Sequence, residues 1–254
     1  MAHLGAATAA LLLLASTVGG ALNSVAGGGS FIVFPALLFA GVSPIPANAT
    51  TTIALWPGSL ASVMAYRREL KGARGEIIPM GLASLAGGLA GSILLLRTSD
   101  AAFVRLIPWL LLFASVVFTV GGSAGRLATR RARVSLGFVV VVQFAISVYG
   151  GYFGGGIGIM MLATLSLLGM TDIHRMNAMK TLQATLINGI AVTAFIAAQA
   201  VDWGPGIVMI VGSTCGGYLG AAVARRLRPA PLRKVVLAVA WSMTAYFFAR
   251  AYAS

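Results

Sequence analysis

Two glycine triplets, Gly27-Gly28-Gly29 and Gly154-Gly155-Gly156, each open a short apolar run. Successive glycines let backbone N–H groups converge, and a helix that follows adds its positive end, so each triplet could cradle an anion. Polar groups follow both runs: Asn48, Thr50, Thr51 and Thr52 after the first, Asn177, Lys180, Thr181 and Gln183 after the second. At the first turn of a helix such side chains either cap the backbone or hold an anion. Close helix packing is the competing use of the triplets, and capping alone accounts for the two asparagines. Lys180 is different. It lies inside an apolar segment, where an ionisable group is a functional candidate unless it snorkels to a surface about one turn away.

Asn23, Ser24, Gln143 and Asn188 are further polar groups in apolar sequence, each suited to bridging helices or to touching a substrate. By contrast Gly87, Gly88 and Gly91, like Gly216, Gly217 and Gly220, have the small-residue spacing of helix contacts. Pro44 and Pro46 read as setting a turn, and His174 and Arg175 as interfacial. The acidic residues are Glu69, Glu76, Asp100, Asp172 and Asp202, all at span ends or in loops. No carboxylate therefore sits mid-span as a proton relay, which disfavours an acid-lined cation path. There is no phosphate-binding GxxxxGK[ST] motif, no His/Cys/carboxylate set with metal spacing and no nucleophile–base pair. No enzyme activity, cofactor or metal is expected. Glycine amides, hydroxyls, carboxamides and one lysine remain, all hydrogen-bond donors that suit a small oxyanion.

These groups must be positioned by membrane helices. The 254 residues are 59% hydrophobic and 9% charged, with a mean hydropathy of +0.94, against about 25% charged in soluble domains. The chain reads as an all-α polytopic membrane protein of the cytoplasmic (inner) membrane. Its net charge of +13 does not point to nucleic acid. Thirteen of the 18 Lys and Arg residues fall in three breaks: Arg67, Arg68, Lys71 and Arg74; Arg126, Arg130, Arg131 and Arg133; Arg225, Arg226, Arg228, Arg233 and Lys234. The positive-inside rule puts those breaks in the cytoplasm. Cys215 is the single cysteine, so it packs as a small hydrophobe. The N-terminal apolar run lacks a basic start and reads as a first transmembrane helix.

Apolar segments and their breaks give ten elements, at 4–26, 29–41, 47–66, 76–96, 103–121, 134–153, 157–169, 177–200, 204–224 and 234–252. Most reach the ~20 residues that a bilayer requires, whereas 29–41 and 157–169 do not and should be short helices packed inside the bundle. The chain repeats itself. The glycine triplets match at an offset of 127, Gly41 and Gly169 at 128, Asn48-Ala49 and Asn177-Ala178 at 129, and Gly87–Gly91 and Gly216–Gly220 at 129. We expect a first repeat at 1–121, a basic cytoplasmic linker at 122–133 and a second repeat at 134–254. Equivalent loops have opposite charge character, so the repeats should be inverted, with five crossings each and both termini outside the cytoplasm.

At AGGGSFIVFPALLFAGVSPIPANATTTIALWPGSLASVMAYR and at YFGGGIGIMMLATLSLLGM with NAMKTLQATLING, the sequence resembles the sulfite exporter TauE/SafE family of membrane transporters. The resemblance covers nearly the whole chain. It implies export of small sulfur-containing anions such as sulfite or sulfoacetate. It places Gly27, Gly28, Gly29, Asn48, Thr50, Gly154, Gly155, Gly156, Asn177 and Lys180 in the motif positions, and Thr51 and Thr181 stand beside them. Leu162 occupies the place of Pro35 in the second copy, so the two halves of the site differ. The partners expected are a small anionic substrate and membrane lipid. Export of an anion from a negative interior gains about 2.3 kcal/mol per charge per 100 mV. An anion channel, or import of another small anion, is the alternative.

Overall fold

The structure is a computed structural model describing residues 5–25, 28–127, 134–224 and 229–252, without the side chains of 25, 65, 121–127, 221–224 and 229–233. Among the described residues it holds ten helices and no strand: α1 (Ala6–Val25), α2 (Ser30–Phe39), α3 (Pro44–Ala65), α4 (Arg74–Arg97), α5 (Asp100–Leu127), α6 (Leu136–Tyr152), α7 (Ile157–Leu167), α8 (Ile173–Ala197), α9 (Trp203–Ala224) and α10 (Pro229–Tyr252). Five of these (α1, α4, α5, α8 and α10) contain stretches long and apolar enough to cross a bilayer. The two short helices have 10 and 11 residues. They start just beyond the glycine triplets.

Local chemistry sets the helix starts. Pro44 stands at the first position of α3 and Pro46 two residues on, where the missing N–H costs nothing. These prolines therefore begin the helix instead of making the turn before it. Asp172 caps α8 by accepting from the His174 and Arg175 amides, and Ser135 caps α6 by accepting from Phe138. Gly28 and Gly156 both have positive φ, and each accepts from the amide three residues on, Phe31 or Ile159. The backbone thus matches the two breaks at an offset of 128, one residue later than the triplets align by letter.

The Val134 amide donates to the Leu167 carbonyl at 3.2 Å, so α7 returns to the level at which α6 begins. That end also holds the ion pair of Arg175 with Glu76, at 3.4 Å, and Arg67, Arg68, Lys71 and Arg74 between α3 and α4. We call it the basic end. At the opposite end, Phe39 of α2 packs edge-on against Tyr246, and Tyr252 meets the Arg105 carbonyl. The two short helices therefore run towards opposite ends of the bundle. Each half consists of three full-length helices and a broken hairpin, instead of five separate crossings, and the count of full crossings is still odd. Of the other basic clusters, 128–133 and 225–228 lie outside the described residues, as do the side chains of Arg126 and Arg233.

The packing has the same two-fold pattern. The contact of α1 with α9 is matched by α6 with α4, α3 with α9 by α8 with α4, α1 with α2 by α6 with α7, and α2 with α3 by α7 with α8. The α3–α8 and α5–α10 contacts are their own counterparts. This arrangement is compatible with inverted repeats. Its tightest seams are the ones that carry small residues. A Cβ at Gly87 would lie 2.6 Å from the Phe144 carbonyl oxygen, and one at Gly220 would lie 2.6 Å from the Ala21 Cα. At Gly91 and Gly216 it would overlap the carbonyls of Val148 and Thr17. In lipid, where no hydrophobic force draws helices together, such backbone approach is what holds them. The outer surface is apolar, with Leu82, Leu89 and Ile93 of α4 exposed. Trp109 and Tyr252, joined by a hydrogen bond at 3.0 Å, are also exposed, towards the opposite end, as suits amphipathic rings at a bilayer interface.

Candidate functional site

The two hairpin breaks and the facing sides of α3 and α8 enclose a cavity of about 170 Å³. On α8 its wall is Asn177, Lys180, Thr181, Ala184 and Asn188, one helical face. On α3 the positions 129 earlier supply Thr51, Thr52, Leu55 and Ser59. Asn23, Ser24, Gly28 and Ser30 come from the first break, and Phe153, Gly154, Gly156 and Gly158 from the second.

Seven of the twelve candidates thus meet at one place: Gly28, Thr51, Gly154, Gly156, Asn177, Lys180 and Thr181. Four do not line it. Asn48 is buried and donates its side-chain amide to the Tyr152 carbonyl at 3.0 Å, which satisfies a carbonyl in the buried last turn of α6. The Thr50 hydroxyl accepts from the Asp202 amide at 3.0 Å and ties the α8–α9 loop to α3. Gly29 lets α2 approach α1, since a Cβ there would lie 2.9 Å from the Asn23 Cβ. Gly155 faces Phe153 and Ala114, at 3.0 and 3.3 Å from where its Cβ would be. These four pack or bridge elements, and Asn48 and Thr50 lie within α3, which begins at Pro44, so neither caps its first turn as the sequence suggested. Gly27 lies outside the described residues.

Of the other polar groups, Asn23, Ser24 and Asn188 face the cavity. Gln143 does not, because its amide donates to the Ser84 and Ser147 hydroxyls at 2.9 and 3.2 Å. Sequence reasoning missed Ser30, Ser59, Ser62, Tyr66 and Gly158. The signal for three of them was present: Ser59, Ser62 and Tyr66 continue the Thr52 face of α3 at helical spacing. The lysine arm runs beside Gly158, whose Cβ would be in van der Waals contact with the Lys180 Cδ at 3.4 Å.

The wall is rich in donors. Lys180, Asn23, Asn177 and Asn188 have no side-chain hydrogen bond or ion pair within the described residues. The hydroxyls of Thr51, Thr52, Ser59 and Ser62 donate back to carbonyls four residues earlier and can rotate towards a ligand. In α7 the first intrahelical donor is Ile159, so the amides ahead of it lie at the positive end of the helix. No acidic side chain lines the cavity.

The two ends of the cavity differ. Towards the basic end, Ser62 and Tyr66 continue its wall. Their counterparts on α8, Ala191 and Phe195, are 1% and 0% exposed and belong to the core. Phe153 forms the boundary on that side. It packs edge-on against Phe34 at 5.7 Å, and Phe34 in turn packs against Phe103 at 6.4 Å. Aromatic packing thus closes the route that polar residues line in the first half.

The sequence model of the family described as sulfite exporter TauE/SafE matches residues 12–247. A "probable membrane transporter protein" of Haemophilus influenzae is 28% identical over 93% of this chain and 92% of its own. The "probable membrane transporter protein YfcA" of Escherichia coli K12 is 26% identical over 92% and 87%. The "probable membrane transporter protein ORF9" of a Sinorhizobium species is 28% identical over 89% and 85%. No solved structure matches.

Proposed function

Since the chain belongs to the sulfite exporter TauE/SafE family of membrane transporters, we propose that it exports a small sulfur-containing oxyanion, sulfite or a sulfonate such as sulfoacetate, across the cytoplasmic membrane. The observation that carries this reading is the central cavity, where one lysine and several carboxamides converge with no acidic side chain among them. Under it, the anion sits between the two hairpin breaks, with Lys180 as counter-charge and Gly28, Gly154, Gly156, Thr51, Asn177 and Thr181 around it. The repeats at 1–121 and 134–254, joined by a cytoplasmic linker, each contribute one half of the site. Both termini face away from the cytoplasm.

The aromatic closure at Phe34, Phe103 and Phe153 favours a transporter over an open anion channel. The test is flux of sulfite, sulfoacetate and chloride in proteoliposomes, with and without a membrane potential, for the wild type and Lys180→Ala. Saturable flux lost in the variant supports the reading. Unchanged rate and selectivity in Lys180→Ala removes the lysine from the site.

A further inference from the structure

We infer that the cavity selects singly charged oxyanions over doubly charged ones, and that the repeat-equivalent positions Thr51 and Lys180 set this choice. The inference rests on the anion-transport reading above and narrows its substrate class. Among the described residues, the only basic side chain lining the cavity is that of Lys180. At the matching position of α3, 129 residues earlier, stands Thr51, which is buried and hydrogen-bonded to the Ala47 carbonyl. The described wall therefore carries one basic side chain where a symmetric one would carry two.

The number of cations decides which anion gains by entering. Taking an ion out of water costs free energy that rises with the square of its charge, whereas its attraction to one ammonium rises only in proportion. Doubling the anion's charge thus quadruples the cost and doubles the return. Neutral donors such as Asn177 and Asn188 act through dipoles and also scale with the first power of charge. A second cation at position 51 changes the balance, because a doubly charged oxyanion could then be neutralised from both halves. By this argument hydrogen sulfite and simple sulfonates fit the wild-type site, whereas sulfate fits it poorly and the doubly charged sulfoacetate drops out of the substrate class proposed above.

The experiment uses two tetrahedral probes of fixed charge, methanesulfonate and sulfate, in proteoliposomes of the full chain. Wild type should favour methanesulfonate by about tenfold or more, and Thr51→Lys should move the ratio towards sulfate by about as much. Exchanging the two, as Thr51→Lys with Lys180→Thr, keeps one positive charge and should keep the preference for methanesulfonate. Equal fluxes of both anions in the wild type, or a ratio unmoved in a Thr51→Lys protein that inserts and transports, would overturn the inference while leaving anion transport standing. Absence of saturable flux for any anion would instead overturn the transport reading, and this inference with it. Thermal stabilisation in detergent gives the same comparison without the Thr51 variant. The wild type should be stabilised more than Lys180→Gln by methanesulfonate and equally by sulfate, and an equal excess for both anions counts against the inference.

Discussion

The Trp56 indole donates to the Thr185 carbonyl at 3.1 Å, and the two residues are 129 positions apart in the chain. That spacing is the one relating its two halves, so the bond joins a position to its own counterpart. The hydroxyls of Ser115 and Thr244, 3.1 Å apart, are a second such pair, between α5 and α10. Trp56 also fills the space left by Gly189, where a Cβ would lie 3.2 Å from the indole nitrogen. Trp56→Phe should lower stability in detergent by about 1 kcal/mol, the net contribution of one hydrogen bond. Thermal or denaturant unfolding of the purified protein measures this. A neutral Trp56→Phe would mean that the α3–α8 contact is held by packing alone.

Gly28 and Gly156 have φ of +96° and +79° at the hairpin breaks, both beside the cavity. An alanine in this region costs roughly 1–2 kcal/mol of backbone strain. It also places a methyl where the chain turns. Gly156→Ala and Gly28→Ala should therefore lose both stability and flux. Gly155 does not line the cavity, and Gly155→Ala, which meets Phe153 and Ala114, should lose stability with substrate KM changed less than in the other two. Comparing KM with unfolding midpoint across the three variants separates the roles. A Gly156→Ala protein with normal KM would assign that glycine to packing as well.

Asn48 and Asn177 occupy equivalent positions but have different surroundings. Asn48→Leu leaves the Tyr152 carbonyl without its side-chain donor in a buried place, at a cost of about 1–3 kcal/mol. Asn177→Leu removes a donor from the cavity wall and should act mainly on transport. Unfolding curves and flux, measured on both, should show opposite rankings. Matching rankings would mean that the two asparagines share one role.

The sequence revealed the ten elements, the two short helices and their glycine breaks, because hydropathy, length and backbone-permissive residues are local properties. It also pointed to the neighbourhood of the site, through the Asn-Ala and triplet repeats. It could not separate Thr51 from Thr50. Adjacent residues on a helix point about 100° apart, and which one faces the cavity depends on where α8 and α9 pack. The same holds for Asn48, whose partner at Tyr152 lies 104 residues away. The hairpin form of the short elements was also hidden, because a 3.2 Å bond between Val134 and Leu167 leaves no trace in hydropathy.

The last prediction concerns access. Ser62 and Tyr66 extend the cavity wall to the basic end, while Ala191 and Phe195 at the matching positions are buried in the core. If the basic end faces the cytoplasm, as the positive-inside rule requires, the polar wall of the cavity extends towards that side. Cys215 is exposed on the surface, so Cys215→Ala gives a background without reactive thiols. In that background Ser62→Cys and Tyr66→Cys should react with a membrane-impermeant maleimide added to inside-out vesicles. Ala191→Cys and Phe195→Cys should react from neither side in this state. If the protein alternates by exchanging the roles of its two halves, transported anion should raise the reactivity of Ala191→Cys from the outside and lower that of Ser62→Cys. Simultaneous reactivity at Ser62→Cys and Ala191→Cys, from opposite faces and without added anion, would indicate a continuous pore and favour the channel.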